Sequence, residues 1–293
     1  MKCGHVAIIG RPNVGKSTLL NCILRRKLSI TSRKPNTTRN AILGIRNLNN
    51  SQLVFVDTPG WQQQPKKLLN RSMNRAVRLA LKEVDCVLMV IDARGWQEED
   101  NSIVSLIDND AKVVLALNKE DLVKTKNNLL KEVEKISKCH NIFREYLFVS
   151  AKKRAGIDEL CSRLVTLSPN RSFSYPLEMT TNRTEQFLIT ELVREKLIRF
   201  LGEELPYETK VSIENYQETN ELIRIGCTIW VDRVGQKTIV VGKNGSSIKR
   251  IGIAARQDIE QLLGKKIYID LWVKVQKGWR NDVNFLESID LGK

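Results

Sequence analysis

The chain has 293 residues, 42% of them hydrophobic and 28% charged, a length that suits two domains and a composition ordinary for a soluble globular protein. No run approaches 18 consecutive apolar residues and the first fifteen residues make no secretory signal, so a cytosolic chain without a membrane span is expected. Forty-eight Lys+Arg against 33 Asp+Glu leave a formal net charge of +15, which calls for a polyanionic partner, most simply nucleic acid, although an acidic lipid surface also fits. Residues 1–170 hold 29 basic and 16 acidic residues, a net of +13; residues 171–293 hold 19 and 17, a net of +2. The six cysteines show neither paired spacing nor neighbouring histidines, as expected for reduced thiols rather than a metal site.

The first apolar run, residues 5–9, leads into Gly10, Arg11, Pro12, Asn13, Val14, Gly15, Lys16, Ser17 and Thr18, followed by a helix predicted over Thr18–Leu28. G-x-x-x-x-G-K-S between a strand and a helix is a phosphate-binding loop. Gly10 and Gly15 let the backbone wrap a polyphosphate and the helix N-terminus adds its positive end. Lys16 supplies a cation for the terminal phosphates and Ser17 a hydroxyl for magnesium. The polar middle of residues 25–46 lacks a period and predicts a mobile loop, from which a threonine can close over magnesium and a γ-phosphate.

A buried strand over Gln52–Val56 then delivers Asp57, Thr58, Pro59 and Gly60. A carboxylate at this place holds magnesium through water, and Gly60 leaves room for an amide to swing toward a γ-phosphate. Trp61 stands where Ras-like proteins carry a water-positioning glutamine; an indole cannot orient water, so slow intrinsic hydrolysis is expected. Residues 70–82 read as a surface helix with Met73, Ala76, Val77 and Ala80 on one face, 84–91 as a buried strand, 102–107 as a short helix and 112–117 as a strand. That strand ends in Asn118, Lys119, Glu120 and Asp121. Asp121 can accept from guanine N1 and N2, a pattern adenine lacks, while Asn118 tethers loops and the Lys119 stem covers the base. After a strand at 146–149 come Ser150, Ala151 and Lys152, with the Ala151 amide expected to face guanine O6 and Lys152 to stack on the ring. The ordered set points to a guanine nucleotide, bound at the carboxyl ends of the strands.

Residues 169–183 contain Pro169, Pro176 and several Ser and Thr, and read as a linker. Beyond it, an amphipathic helix is predicted over Thr184–Gly202 with Gly202 as its cap, then strands at 210–216 and 222–234 and a turn at Gly235. Gly242, Lys243, Asn244 and Gly245 follow, then a helix through Leu263 and a strand at 266–275. G-x-x-G in the order α-β-β-α-α-β is the KH signature, a loop that clamps the backbone of about four nucleotides. Gly242 and Gly245 allow backbone approach, Lys243 and Lys249 add cations, and Ser246 and Ser247 can donate to phosphate or sugar. Ile239, Val240 and Ile248 are expected to line the groove for bases while contributing to the core; Trp272 is expected to be partly core.

Together these motifs resemble the Era family of bacterial GTPases over essentially the whole chain, most specifically in residues 10–21, 30–39, 56–60, 118–121, 150–152, 194–207, 235–245 and 271–279. The resemblance implies an α/β, doubly wound, mainly parallel P-loop GTPase domain over 1–168, a linker over 169–183, and an α+β type II KH domain with a C-terminal extension over 184–293. It implies a GTP-hydrolysing factor, using GTP/GDP and Mg2+, that binds small-subunit rRNA near its 3′ end during maturation of the small ribosomal subunit; a monomer is expected. It also implies a cytoplasmic protein with peripheral association to the inner membrane. Thr38 becomes the switch threonine, with Thr37 of the doublet as the alternative, and joins Lys16 and Gly60 as the groups acting on the phosphate. Asn13 matches a phosphate-loop asparagine that helps place a potassium ion in related GTPases. A membrane-surface or cell-cycle regulator acting through lipid or protein is the rival reading; an RNA-modifying enzyme ranks last for want of a second catalytic set.

Overall fold

The computed structural model describes residues 1–32, 34, 37–38, 41–63, 68–202, 205, 209–279, 282 and 285. Arg39 of the T-T-R motif, Pro65 and the pair at 206–207 lie outside these residues. The chain divides into two compact units, Met1–Arg183 and Thr184–Lys293.

The first unit is a six-stranded sheet in the order β2-β3-β1-β4-β5-β6. Strands β1 (Lys2–Ile9), β3 (Ser51–Asp57), β4 (Cys86–Asp92), β5 (Val113–Asn118) and β6 (Phe143–Val149) are parallel. Every residue of β4 and β5 is buried, which is why both read as unbroken apolar runs. Helices α2 (Leu68–Lys82), α3 (Glu98–Val104) and α4 (Lys126–Cys139) share one core with Ile9, Met89, Ile91 and Leu115. Helices α1 (Lys16–Leu24) and α5 (Ile157–Leu167) pack on β1, β3 and each other.

Helix α1 starts two residues earlier than predicted and stops four residues sooner. Arg25 turns left-handed, and the Asn21 side chain accepts from the amides of Leu28 and Ser29 at 2.8 Å each, which redirects the chain. Strand β2 (Ile42–Leu48), antiparallel to β3, was hidden within the predicted loop because cross-strand pairing, not its own period, defines an edge strand. Helix α3 begins at Glu98 rather than at residue 102; Asp100 caps it by accepting from the Gln97 amide at 2.9 Å.

Residues 169–183 are bound to the first unit rather than spanning free. Cys3 N donates to Pro169 O, Ile45 N to Thr180 O, and Arg183 to Ala41 O. Fully buried Gln52 is the clamp: its Oε1 accepts from the amides of Ser174 (2.9 Å) and Tyr175 (3.0 Å), and its Nε2 donates to Tyr175 O (2.9 Å).

The second unit places α6 (Glu185–Phe200), α7 (Val234–Val241) and α8 (Ser246–Leu263) on a sheet of β7 (Lys210–Glu218), β8 (Leu222–Val231) and β9 (Lys266–Val275). β7–β8 is antiparallel and β8–β9 parallel. Thr184 caps α6 through the amide of Phe187; Leu201, extended, ends it, so Gly202 is not the cap. Gly235 falls inside α7 rather than in a turn, because β8 ends at Val231 and Gln236 accepts from the amides of Asp232 and Arg233. Among the described residues no helix is long and apolar enough to cross a membrane.

Replacing Gln52 with Ala removes the acceptor of two part-buried hydrogen bonds, from the amides of Ser174 and Tyr175. Urea unfolding should show a loss of about 1–3 kcal/mol, and limited trypsin digestion should cut at Arg171 and Arg183 faster than in the parent chain.

Candidate nucleotide and nucleic-acid sites

The loop after β1 is built from backbone that other residues cannot supply. Gly10 (φ 148°) passes so near β4 that a Cβ would lie 2.3 Å from Val90 O, and Gly15 (φ 101°) leaves room for Asn118, whose Nδ2 would be 2.3 Å from a Cβ. Asn13 is also left-handed, at φ 65°. Successive amides and the start of α1 therefore turn inward as an anion nest. Gly60 belongs to the same wall, since a Cβ there would stand 2.8 Å from Pro12 N. Arg11 is held outside the nest by Asp100 at 2.7 Å, a buried partner that the acidic run at 98–100 could have signalled.

Lys16 is buried, and its Nζ donates to Gly10 O and Arg11 O at 2.9 Å each. Burial pulls its pKa down to about 8 against the opposing pull of Asp57. Ser17 Oγ lies 2.8 Å from both Asp57 Oδ2 and Thr38 Oγ1. Burial raises the pKa of Asp57, opposed by Lys16 and the hydroxyls of Ser17 and Ser29, and Asp57 Oδ1 has no hydrogen-bond partner among the described residues. Two hydroxyls and a carboxylate with an unsatisfied oxygen fit a hard divalent cation such as magnesium. Of the threonine doublet, only Thr38 reaches this group; the Thr37 hydroxyl is engaged with Ser32 and Lys34 O. Thr58 donates to Ile8 O at 2.7 Å and pins the D-T-P-G turn to β1. Trp61 is buried among α2 and α3, its Nε1 donating to Ser102 Oγ at 3.2 Å, and it meets the loop through its backbone amide, which donates to Gly10 O at 3.3 Å.

The opposite wall comes from β5 and β6. Asn118 donates to Val14 O (2.9 Å) and accepts from Ala151 N (3.1 Å), tying the phosphate loop to the Ser150–Lys152 turn. The Ala151 amide, expected to face a base, thus serves Asn118 in this structure. Lys119 Nζ donates to Asn13 O at 2.7 Å and to Asp92 at 2.9 Å. Burial works against ionisation of Asp92, but hydrogen bonds from Arg94 and Lys119 outweigh it and hold the carboxyl below the usual range. Asp121 accepts from Ser150 Oγ and is exposed, as is Lys152. The whole set, Gly10 to Thr18 with Thr38, Asp57 to Gly60, Asn118 to Asp121 and Ser150 to Lys152, therefore surrounds the carboxyl ends of β1, β3, β5 and β6.

In the second unit Gly242 (φ 75°), Asn244 (φ 52°) and Gly245 (φ 75°) turn the chain between α7 and α8. A Cβ on Gly242 would meet Ser247 Cβ at 2.7 Å. Lys243, Asn244, Ser246 and Lys249 are exposed or half-buried at the surface, and Ser247 is half-buried. Neither lysine is ion-paired among the described residues, so both charges are available to phosphate. Val240 is core and Ile248 packs on it, but Ile239 is 56% exposed and is not core. Trp272, 47% exposed, faces away from the helices, because its neighbours Leu271 and Val273 take the inward positions of β9. Trp279 is buried.

Residues 5–119 match the family described as 50S ribosome-binding GTPase, and residues 204–280 match the KH domain. The chain is 46% identical to GTPase Era of Xanthomonas campestris over 98% of its own length and 96% of the relative's. Among solved structures, a point variant of Aquifex aeolicus Era bound to GDP·AlF4− superposes with a TM-score of 0.94 at 37% identity, covering 99% of both chains. Era in complex with MgGDPNP and nucleotides 1506–1542 of 16S ribosomal RNA superposes at 0.93 with 37% identity, covering 99% of this chain and 98% of that one.

The depressed pKa of Lys16 has a sign that can be measured. Between about pH 8 and the ordinary lysine value the unfolded chain keeps a proton that the folded chain releases, so stability rises with pH across that window. The nucleotide-free protein should gain on the order of 1–2 kcal/mol relative to Lys16→Met from pH 7.5 to 9.5. Denaturant unfolding of both proteins at each pH checks this; parallel pH profiles would refute it.

Proposed function

Because the chain belongs to the GTPase Era family, we propose that this GTPase couples its nucleotide state to binding of small-subunit rRNA near its 3′ end and so assists maturation of the small ribosomal subunit. The observation that carries the reading is the whole-chain likeness to an Era structure holding both MgGDPNP and nucleotides 1506–1542 of 16S rRNA. The first domain's family is described by the large subunit, but that match spans residues 5–119 alone, whereas the Era structure with 16S rRNA covers 99% of this chain.

In this reading Gly10 to Thr18 wrap the phosphates with amides, and Lys16 exchanges its two carbonyl partners for β- and γ-phosphate oxygens. Ser17, Thr38 and Asp57 hold magnesium, which neutralises charge on the phosphates when bound. The Gly60 amide turns to a γ-phosphate oxygen, and Thr38 leaves when that phosphate does. Asp121 reads guanine N1 and N2, Asn118 keeps the two loops in register, and Lys119 and Lys152 flank the ring. With Trp61 committed to the core, no side chain at that position orients the attacking water, and turnover is slow. Water placement then falls to backbone groups, to a potassium ion near Asn13, or to bound RNA.

Gly242 to Ser247, with Lys249, clamp an rRNA strand by backbone amides, hydroxyls and two cations. Ordering of residues 31–39 has a hydrogen-bonded route to the end of the first unit. Ala41 lies three residues beyond Thr38 and accepts from Arg183, while Ile45 of β2 donates to Thr180 O.

Binding of nucleotides 1506–1542 of 16S rRNA should be at least about 10-fold tighter with a GTP analogue than with GDP, and tighter than that of a 23S fragment of equal length. Equal affinity in both nucleotide states, or preference for the 23S fragment, overturns the reading. Asp121→Asn should lower GTP turnover efficiency by ~10²-fold or more and restore it with XTP, because an amide can donate to the xanthine 2-oxo group. Gly242→Asp, with a side chain at positive φ and a charge facing phosphate, should weaken rRNA by about 10-fold or more while leaving GTP hydrolysis without RNA unchanged.

A further inference from the structure

The sheet of the second unit is covered by α6, α7 and α8 on one face only. On the other face, cross-strand register sets Arg224 opposite Tyr268, Gly226 opposite Asp270, Thr228 opposite Trp272 and Trp230 opposite Lys274. At one end of this face Phe285 packs against Trp230 at 5.0 Å in a T-shaped pair, and Thr228 and Ser212 are buried between the strands. The other end keeps Tyr268 51% and Trp272 47% exposed, an unusual outlay of aromatic surface for a sheet that already has its core on the far side.

Both rings are fixed in place. The outer edge of the Trp272 indole lies over Gly226, where a Cβ would come within 2.8 Å of the ring; only glycine lets the indole spread across β8. Tyr268 lies under the Arg224 guanidinium, 5.9 Å from the ring centroid. Pinned aromatic rings lose little conformational entropy when a planar ligand stacks on them. Charge on this face is mixed: Lys210, Arg224 and Lys266 share its register with Asp270, and Lys274 is paired with Glu214 at 2.8 Å.

We propose that Tyr268 and Trp272 form a stacking platform for unpaired bases of the same RNA strand that the G-x-x-G loop holds. The proposal rests on the rRNA-binding reading. Its link to that site is β9 itself: on the helix side Leu271 packs 3.6 Å from where a Cβ on Gly252 of α8 would stand, less than three turns beyond Gly245, and the next residue is Trp272 on the open face. A strand leaving the G-x-x-G loop along α8 reaches the exposed edge of β9 and, turning over it, meets the two rings. Stacking accepts any base and neutralises no phosphate.

The test uses the full chain with two RNAs, nucleotides 1506–1542 of 16S rRNA and a tetranucleotide of the length one G-x-x-G loop clamps. Tyr268→Ala should weaken the longer RNA by about 10-fold and leave the tetranucleotide unchanged. Tyr268→Phe, which keeps the ring, should restore binding to within about 2-fold, and the salt dependence of affinity should be the same in all three proteins. Quenching of tryptophan fluorescence by the longer RNA should largely vanish in Trp272→Phe with affinity retained. Tyr268 is exposed, so these changes spare the fold. If Tyr268→Ala binds the longer RNA as the parent does while Gly242→Asp weakens both, the platform is wrong and the rRNA reading stands. If neither RNA binds, both fall. Loss of affinity for assembled small subunits alone, with naked RNA unaffected, would assign the face to a protein and overturn the proposal.

Discussion

The nucleotide site depends on one buried amide. Asn118 closes β5, donates to the carbonyl of Val14 and accepts from the amide of Ala151, so one side chain sets the spacing between the phosphate loop and the turn at the base end. A ligand with a base at one end and phosphates at the other can be selected only if those loops keep their separation. The geometry admits no larger neighbour: Gly15 lacks a Cβ at the point where the Asn118 amide passes. A buried amide with both ends engaged is also costly to disturb, because either loop that moved would leave a polar group unpaired in a dry site.

Around this fixed element the site keeps groups whose energetics improve on binding. Lys16 is buried against carbonyl oxygens, and its lowered pKa records what its charge costs there. Asp57 carries an oxygen without a partner among the described residues, beside two hydroxyls. Anionic phosphate and a divalent cation relieve both at once, which is how a site can be stable enough to persist and still gain from its ligands. The net charge of +13 in residues 1–170 against +2 in 171–293 fits the same division. The first part of the chain carries the charge that steers polyanions.

Much of this was legible before any coordinates. The loop at 10–18, Asp57–Gly60, Asn118–Asp121 and Ser150–Lys152 are local motifs whose residue types answer directly to phosphate, cation and base, and the parallel strands between them are unbroken apolar runs. G-x-x-G was legible for the same reason, with left-handed glycines at 242 and 245. Other features were not. Strand β2 has no independent signal and exists because β3 pairs with it. The turn read at Gly235 is helical because Gln236 caps the preceding chain. Residues 169–183, with their prolines and small polar side chains, read as a linker, yet Gln52, more than a hundred residues earlier, binds them.

The amino-acid sequence by itself determined the order of the elements, the class of ligand and the positions of the chemistry-bearing loops, because short motifs and the periodicity of burial are local properties of a chain. Only the tertiary structure decided which threonine of the doublet meets Ser17, that Trp61 belongs to the core, that the Ala151 amide serves Asn118, and that Tyr268 and Trp272 share an open face. The first three are contacts between residues distant in the chain and the last depends on which face of the sheet the helices cover; both are set by packing, on which single-residue preferences have no purchase.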